Sequence, residues 1–285
     1  MEESILVFGG DGLLATDLSI FFNFKTNYRI MSVGKSTCDI TNLLSINKII
    51  NEFKPTVIVN CAGYTKVDEA ESNQSLSTAI NSTAVYNLAQ ICSEKSIYLI
   101  HISTASVFNS SKRELINGSS LRNPVNHYNK TKLSAEIFCE NFIKEGNKIL
   151  VLRTYWLYGS KKQDFVEFVK KSIIENKIMN IVHDQYGQPT STLSLCKIIN
   201  YGIQNRITGF YPGTNTGIAN RVDWANFICG KLRKGHTLIK SVSSNYFTSS
   251  AIRPFNTALS HSNSDFIGLK IDDWEDSLSN FLSNN

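Results

Sequence analysis

Ser4-Ile5-Leu6-Val7-Phe8-Gly9-Gly10-Asp11-Gly12-Leu13-Leu14-Ala15 carries a strand, a glycine turn and the start of a helix. Ser4 to Phe8 is a short run of branched and aromatic side chains, the pattern of a buried strand. A helical pattern follows through Phe24. Strand, glycine turn and helix is the context in which a dinucleotide is held. The glycines let backbone approach the pyrophosphate, and the helix N-terminus attracts its charge. The spacing here is Gly9-x-x-Gly12-x-x-Ala15, with a small residue where helix and strand pack closely.

Working outward, the alternation continues. Arg29 to Val33 reads as a second strand, Leu43 to Phe53 as a helix and Val57 to Asn60 as a third strand. A helix carrying Asn81 runs to about Glu94 and leads into the strand Leu99-Ile100-His101-Ile102. This pattern predicts an α/β fold with a Rossmann-type, doubly wound parallel sheet. An acid after the second strand would accept from the adenosine ribose 2′-hydroxyl. The stretch reads Gly34-Lys35-Ser36, with no acid, and Lys35 can pair with a 2′-phosphate. NADPH is the expected cofactor, with NADH possible. After the third strand, the small residues Cys61, Ala62 and Gly63 allow a cofactor to lie against backbone.

Beyond a strand at Arg153 the alternation loosens. Helices are expected over Phe165 to Asn176, Leu193 to Asn205, Trp224 to Leu232 and Trp274 to Phe281. Strands are expected over Met179 to His183 and near Phe210-Tyr211. The division predicted is a cofactor domain over 1–155 and a smaller α/β substrate lobe over 156–285. A segment around 184–205 is able to return to the first domain. The substrate belongs in the cleft between them.

Composition narrows the function. The net charge is +5, but Lys and Arg are scattered rather than gathered in a stripe, which argues against nucleic acid. No apolar run reaches membrane-spanning length, and Ile5 to Phe8 is too short for a signal h-region, so a cytoplasmic protein is expected. The six cysteines sit singly, without CxxC or Cys/His ligand spacing, and read as reduced core residues rather than metal ligands.

The chemistry concentrates between Leu99 and Lys132. A hydroxyl pair, Ser103-Thr104, ends the fourth strand, and Tyr128-x-x-x-Lys132 opens a helical pattern. Residues four apart share a helix face, so the ammonium can hold the phenol ready to give up a proton to a ketone.

Together these residues resemble the extended short-chain dehydrogenase/reductases, and more closely the dTDP-4-dehydrorhamnose reductase branch. Gly9-x-x-Gly12-x-x-Ala15 is similar to the family's cofactor turn, and Asn60 to Glu71 resembles its NAAAYTAVDxAE segment. Ser103-Thr104 and Val107-Phe108 frame its STDYVF motif, and Tyr128 to Leu133 resembles YGxTKLxGE. Arg153 to Gly159 is similar to RTxWxYG, and Asp184 to Thr190 to DQxGxPT. The resemblance spans nearly the whole chain.

It implies reduction of the 4-keto group of a nucleoside-diphosphate 4-keto-6-deoxy sugar, UDP- or dTDP-linked. Thr104, Tyr128 and Lys132 are then the catalytic set, with Lys132 lowering the phenol's pKa. The cofactor side is implied at Gly9, Asp11, Gly12, Leu13 and Leu14, then Lys35, Asp39 and Ile40, then Cys61, Ala62, Gly63 and Tyr64. Tyr128 and Lys132 complete it. Val67, Ser106, Trp156 and Arg253 are implied on the substrate side, Arg253 for the diphosphate. A homodimer is possible.

One departure stands out. Ala105-Ser106 replaces the Asp-Tyr that the branch places against the sugar. Either the pocket is larger and takes a 2-acetamido sugar, or another side chain fills the space. The dehydratases of the wider family need Asp-Glu here, and its epimerase-reductases a cysteine where Ser106 stands. Simple 4-reduction is therefore favoured. Combined 3-epimerisation and reduction stays open, with Lys161 or Lys162 as a second proton relay. A non-catalytic NADP-binding regulatory subunit of the same fold also stays open.

Overall fold

The computed structural model describes residues 3–160, 164–262 and 268–284. Its first half alternates as expected: β1 (Ser4–Phe8), α1 (Leu13–Lys25), β2 (Arg29–Val33), α2 (Leu43–Phe53) and β3 (Val57–Asn60). The helix expected around Asn81 is segmented. α3 (Glu69–Ser72) and α4 (Gln74–Thr78) precede a π-turn at Ala79–Thr83, and only then does α5 (Ala84–Glu94) run regularly. The π-turn brings Asn81 inward, where its side chain accepts from the Tyr64 N–H at 2.8 Å and donates to Thr131 Oγ1 at 3.2 Å. β4 (Tyr98–Thr104), α6 (His127–Lys144) and β5 (Ile149–Thr154) complete the alternation.

The second half contains β6 (Leu157–Tyr158), α7 (Phe165–Ile174), β7 (Met179–Val182), β8 (Tyr186–Gly187), β9 (Thr190–Ser191) and α8 (Thr192–Asn205). β10 (Gly209–Pro212), β11 (Ala219–Asn220), α9 (Arg221–Leu232), β12 (Ile239–Val242) and α10 (Trp274–Ser283) follow. Two boundaries differ from the expectation for local reasons. α9 starts three residues earlier than Trp224 because Asn220 and Asp223 form a reciprocal capping box. α7 stops before Asn176, whose φ of 51° is left-handed.

Six strands form one parallel sheet in the order β10-β5-β4-β3-β1-β2. One face buries Leu6, Phe8, Ile46, Ile58, Leu88 and Leu99 beneath α2, α5 and α6. The other buries Ile5, Val7, Leu18, Phe22, Ile100 and Leu195 beneath α1 and α8. Both faces being covered explains why these strands are continuous apolar runs. The order reverses at β1, so the carboxyl ends of β1 and β3 open a crevice between them.

Within the 184–205 segment, α8 lies against α1, and the next strand, β10, extends the large sheet beside β5. The remaining second-half elements pack around Trp224, with Trp156, Tyr158, Ile181, Ile228 and Leu278. Buried hydroxyls of Ser191, Ser194 and Ser277 bond one another and tie α8 to α10. No described helix is long and apolar enough to cross a membrane.

Candidate active site

The crevice begins at the glycine turn. Gly9 has φ +81°, and a Cβ there would lie 2.6 Å from the Ala62 backbone nitrogen, so only glycine lets the β1 and β3 ends meet. The Gly12 N–H donates to the Gly9 carbonyl at 2.9 Å and closes the turn. α1 then starts with no side-chain cap and no acid in its first turn. By contrast α2, α6, α7, α8, α9 and α10 each have a side-chain cap. An uncapped helix end keeps its N–H groups and its positive dipole for an anion.

A cleft of about 660 Å³ runs from this end across the sheet. Gly9, Asp11, Gly12, Leu13 and Leu14 line it at the turn, Lys35, Asp39 and Ile40 at the end of β2, and Cys61, Ala62 and Gly63 after β3. Thr104, Tyr128 and Lys132 line its far part, together with Val67, Trp156 and Arg221. The glycine cradle, the uncapped helix end and the length of the cleft fit a nicotinamide dinucleotide. Such a group supplies hydride when bound.

Asn126 caps α6 by accepting from the Asn129 N–H at 2.8 Å, and the turn it fixes carries Tyr128 and Lys132. The Tyr128 hydroxyl has no hydrogen-bond partner among the described residues. Burial, reinforced by nearby Tyr155, holds its pKa above the usual phenol range, so the proton is retained. This departs from the implied phenol acidified by Lys132. The lysine is itself drawn elsewhere: Nζ donates to the Ile102 carbonyl at 2.7 Å and sits 3.3 Å from His101 Nε2. Burial lowers the Lys132 pKa to about 8, partly offset by Glu136, Cys139 and Cys61.

His101 is fully buried and held neutral, first by burial and then by Lys132. The Ala62 N–H donates to Asn60 Oδ1 at 3.0 Å, which leaves Asn60 Nδ2 to face His101 Nδ1 at 3.3 Å. Nδ1 therefore accepts, and the ring hydrogen lies on Nε2, facing the lysine. A charged Lys132 meets a donor there, which works in the same direction as its burial.

Ser106, expected against the substrate, does not line the cleft. It is 2% exposed, and its hydroxyl donates to Asn129 Oδ1 at 2.6 Å. The Thr104 and Ser106 hydroxyls are 2.8 Å apart, and the Ser106 N–H donates to Thr104 Oγ1 at 3.1 Å. With its one hydrogen given to Asn129, Ser106 accepts from Thr104.

Two further expected residues lie apart from the cleft wall. Tyr64 directs its hydroxyl to Glu69 at 3.2 Å. Arg253 pairs with Asp68 at 2.5 Å, and Asp68 also accepts from Ser249 and the Ala251 N–H. Lys161 and Lys162 lie outside the described residues. Arg221 was missed by the sequence reading. It sits at the first turn of α9 with its guanidinium 4.4 Å from the Trp156 ring centroid. Burial lowers its pKa to about 10, with Arg253 acting in the same direction. The Asn220-x-x-Asp223 spacing was the available signal, since it marks a helix start just before Arg221.

The family model described as the RmlD substrate binding domain matches residues 3–285. A dTDP-4-keto-6-deoxy-D-glucose reductase from Streptomyces niveus is 30% identical over 261 residues, covering 92% of this chain and 90% of that protein. A dTDP-4-dehydrorhamnose reductase from Mycolicibacterium smegmatis is 29% identical, covering 98% and 84% respectively. Among solved structures, the dTDP-4-dehydrorhamnose reductase from Bacillus anthracis in complex with NADP has a TM-score of 0.92 to this chain. It is 30% identical over 100% of both chains.

Proposed function

We propose, since the chain belongs to the RmlD substrate binding domain family, that it reduces the 4-keto group of a dTDP-linked 4-keto-6-deoxy sugar. It is an oxidoreductase whose relatives are dTDP-4-dehydrorhamnose reductases. The observation that carries the reading is a single cleft that unites the uncapped end of α1 with Tyr128 and Lys132. The dTDP nucleotide is supported by the names of the relatives. NADPH is supported by Lys35 beside the cleft and by the NADP-bound neighbour, with NADH as the alternative.

In this reading negative charge grows on the ketone oxygen as hydride arrives, and the protonated Tyr128 supplies its proton. Thr104 donates a hydrogen bond to the same oxygen once its hydroxyl turns from Ser106. Lys132, fixed on the Ile102 carbonyl at the cleft wall, would hold the nicotinamide ribose. Arg221 is the better-placed cation for the diphosphate, since Arg253 is engaged by Asp68. Ser106 is buried on Asn129 and off the cleft wall, so it does not itself enlarge the pocket, which supports a plain deoxyhexose over a 2-acetamido analogue. A serine there is also a poor epimerisation acid, which supports simple reduction.

The test follows loss of reduced-nicotinamide absorbance with dTDP- and UDP-4-keto-6-deoxyhexoses, with and without a 2-acetamido group or an added 3,5-epimerase. Turnover should favour the plain dTDP sugar, and Tyr128→Phe should lower kcat by about 10²- to 10⁴-fold. Tight dinucleotide binding without turnover of any of them would favour a regulatory subunit instead.

A further inference from the structure

We propose that Asp11 is the carboxylate that reads the cofactor's adenosine ribose and limits how far the chain prefers NADPH to NADH. This rests on the reductase reading. In dinucleotide folds an acid at the end of the second strand accepts from the ribose 2′-hydroxyl and repels a 2′-phosphate. Here that position reads Gly34-Lys35, but the acid arrives from the glycine turn after β1. The Gly10 N–H donates to the Val33 carbonyl at 2.9 Å, which fastens the glycine turn to the end of β2. Asp11 Oδ2 then accepts from the Lys35 N–H at 3.3 Å.

Gly34 makes this possible, because a Cβ on it would collide with the Asp11 carboxylate. Asp11, Lys35 and Asp39 all line the cleft at this end. The Asp39 carboxylate is turned onto its own loop, where Oδ1 accepts from the Thr41 N–H at 2.9 Å and hydroxyl at 2.7 Å. Asp11, whose carboxylate lies against Gly34 and the Lys35 N–H, is the acid that the cleft wall carries at the junction of turn and strand. A ribose hydroxyl can donate to it, whereas a 2′-phosphate gains the Lys35 ammonium and meets the Asp11 charge. The two side chains oppose each other in the same discrimination.

The experiment measures Kd for NADH and for NADPH by fluorescence titration of the full chain, its Asp11→Asn variant and its Lys35→Met variant. Both positions are exposed, and asparagine keeps the acceptor for the Lys35 N–H. Asp11→Asn should shift the affinity ratio towards NADPH by about tenfold, and Lys35→Met should shift it towards NADH. An unchanged ratio in Asp11→Asn overturns the inference, even where both affinities weaken together, while leaving the reductase reading in place. Failure of the wild-type chain to bind either dinucleotide overturns both.

Discussion

Lys132 shows how a single side chain ties protonation to chemistry. Its pKa of about 8 lies below the ordinary 10.5, chiefly because it is buried, and His101, Glu136, Cys61 and Cys139 surround it. The folded chain thus releases this proton more readily than the unfolded one. Below about pH 8 the ammonium is present at the cleft wall, and above it that positive charge is lost. The expected pH profile of kcat/KM, at saturating cofactor, falls as pH rises through about 8; a rate that climbs there would count against the assignment. Ser106 supplies a second expectation, because the Thr104 proton is directed to it and, in the proposed reaction, has to turn to the ketone instead. Ser106→Ala should leave kcat equal or higher, whereas Thr104→Val should lower it about ten- to a hundredfold. Equal losses in steady-state assays of the two variants would mean that Ser106 orients Thr104 productively. Tyr128 and Lys132 were legible because a four-residue helical spacing is local. Asp11 reaching β2 and Ser106 turning inward depend on where distant backbone lies, which no local pattern reports.

At the level of elements, the contrast between helix starts is informative. α1 carries no side-chain cap and faces the cleft, while α6 is capped by Asn126, which also donates to the Ile252 carbonyl at 2.8 Å. That one side chain joins the turn before Tyr128 to the segment near Arg253. Asn126→Ala should cost about 1 kcal/mol of stability, read from denaturant unfolding. It should also reduce kcat more than it changes KM, because the turn that aims Tyr128 loosens; a pure KM effect would contradict this role. The strands and long helices were legible from apolar periodicity and glycine punctuation. The π-turn at Ala79–Thr83 was not, since its extra residue is stabilised by Asn81 reaching Tyr64 and Thr131 across the fold. Arg221 was likewise hidden by a helix start read one turn too late.

For the whole molecule, the order of strands matters more than their number. The sequence divides naturally at the Arg153 strand, yet β5 there is buried along its whole length and pairs with β10, more than fifty residues later. The helix before β10, α8, covers the β1 and β5 side chains on the same face as α1. A fragment of residues 1–155 would expose β5 as an apolar edge and leave that face bare. It should therefore self-associate in sedimentation experiments rather than fold alone; a soluble, cooperatively melting monomer would refute this. The same topology bears on synthesis. A ribosome releases the glycine turn at Gly9 to Gly12 before the rest of the sheet, but the sheet that supports it cannot close until Pro212 has emerged. Between those moments the nascent chain carries an unfinished edge, where pairing with another chain competes with completion of its own sheet.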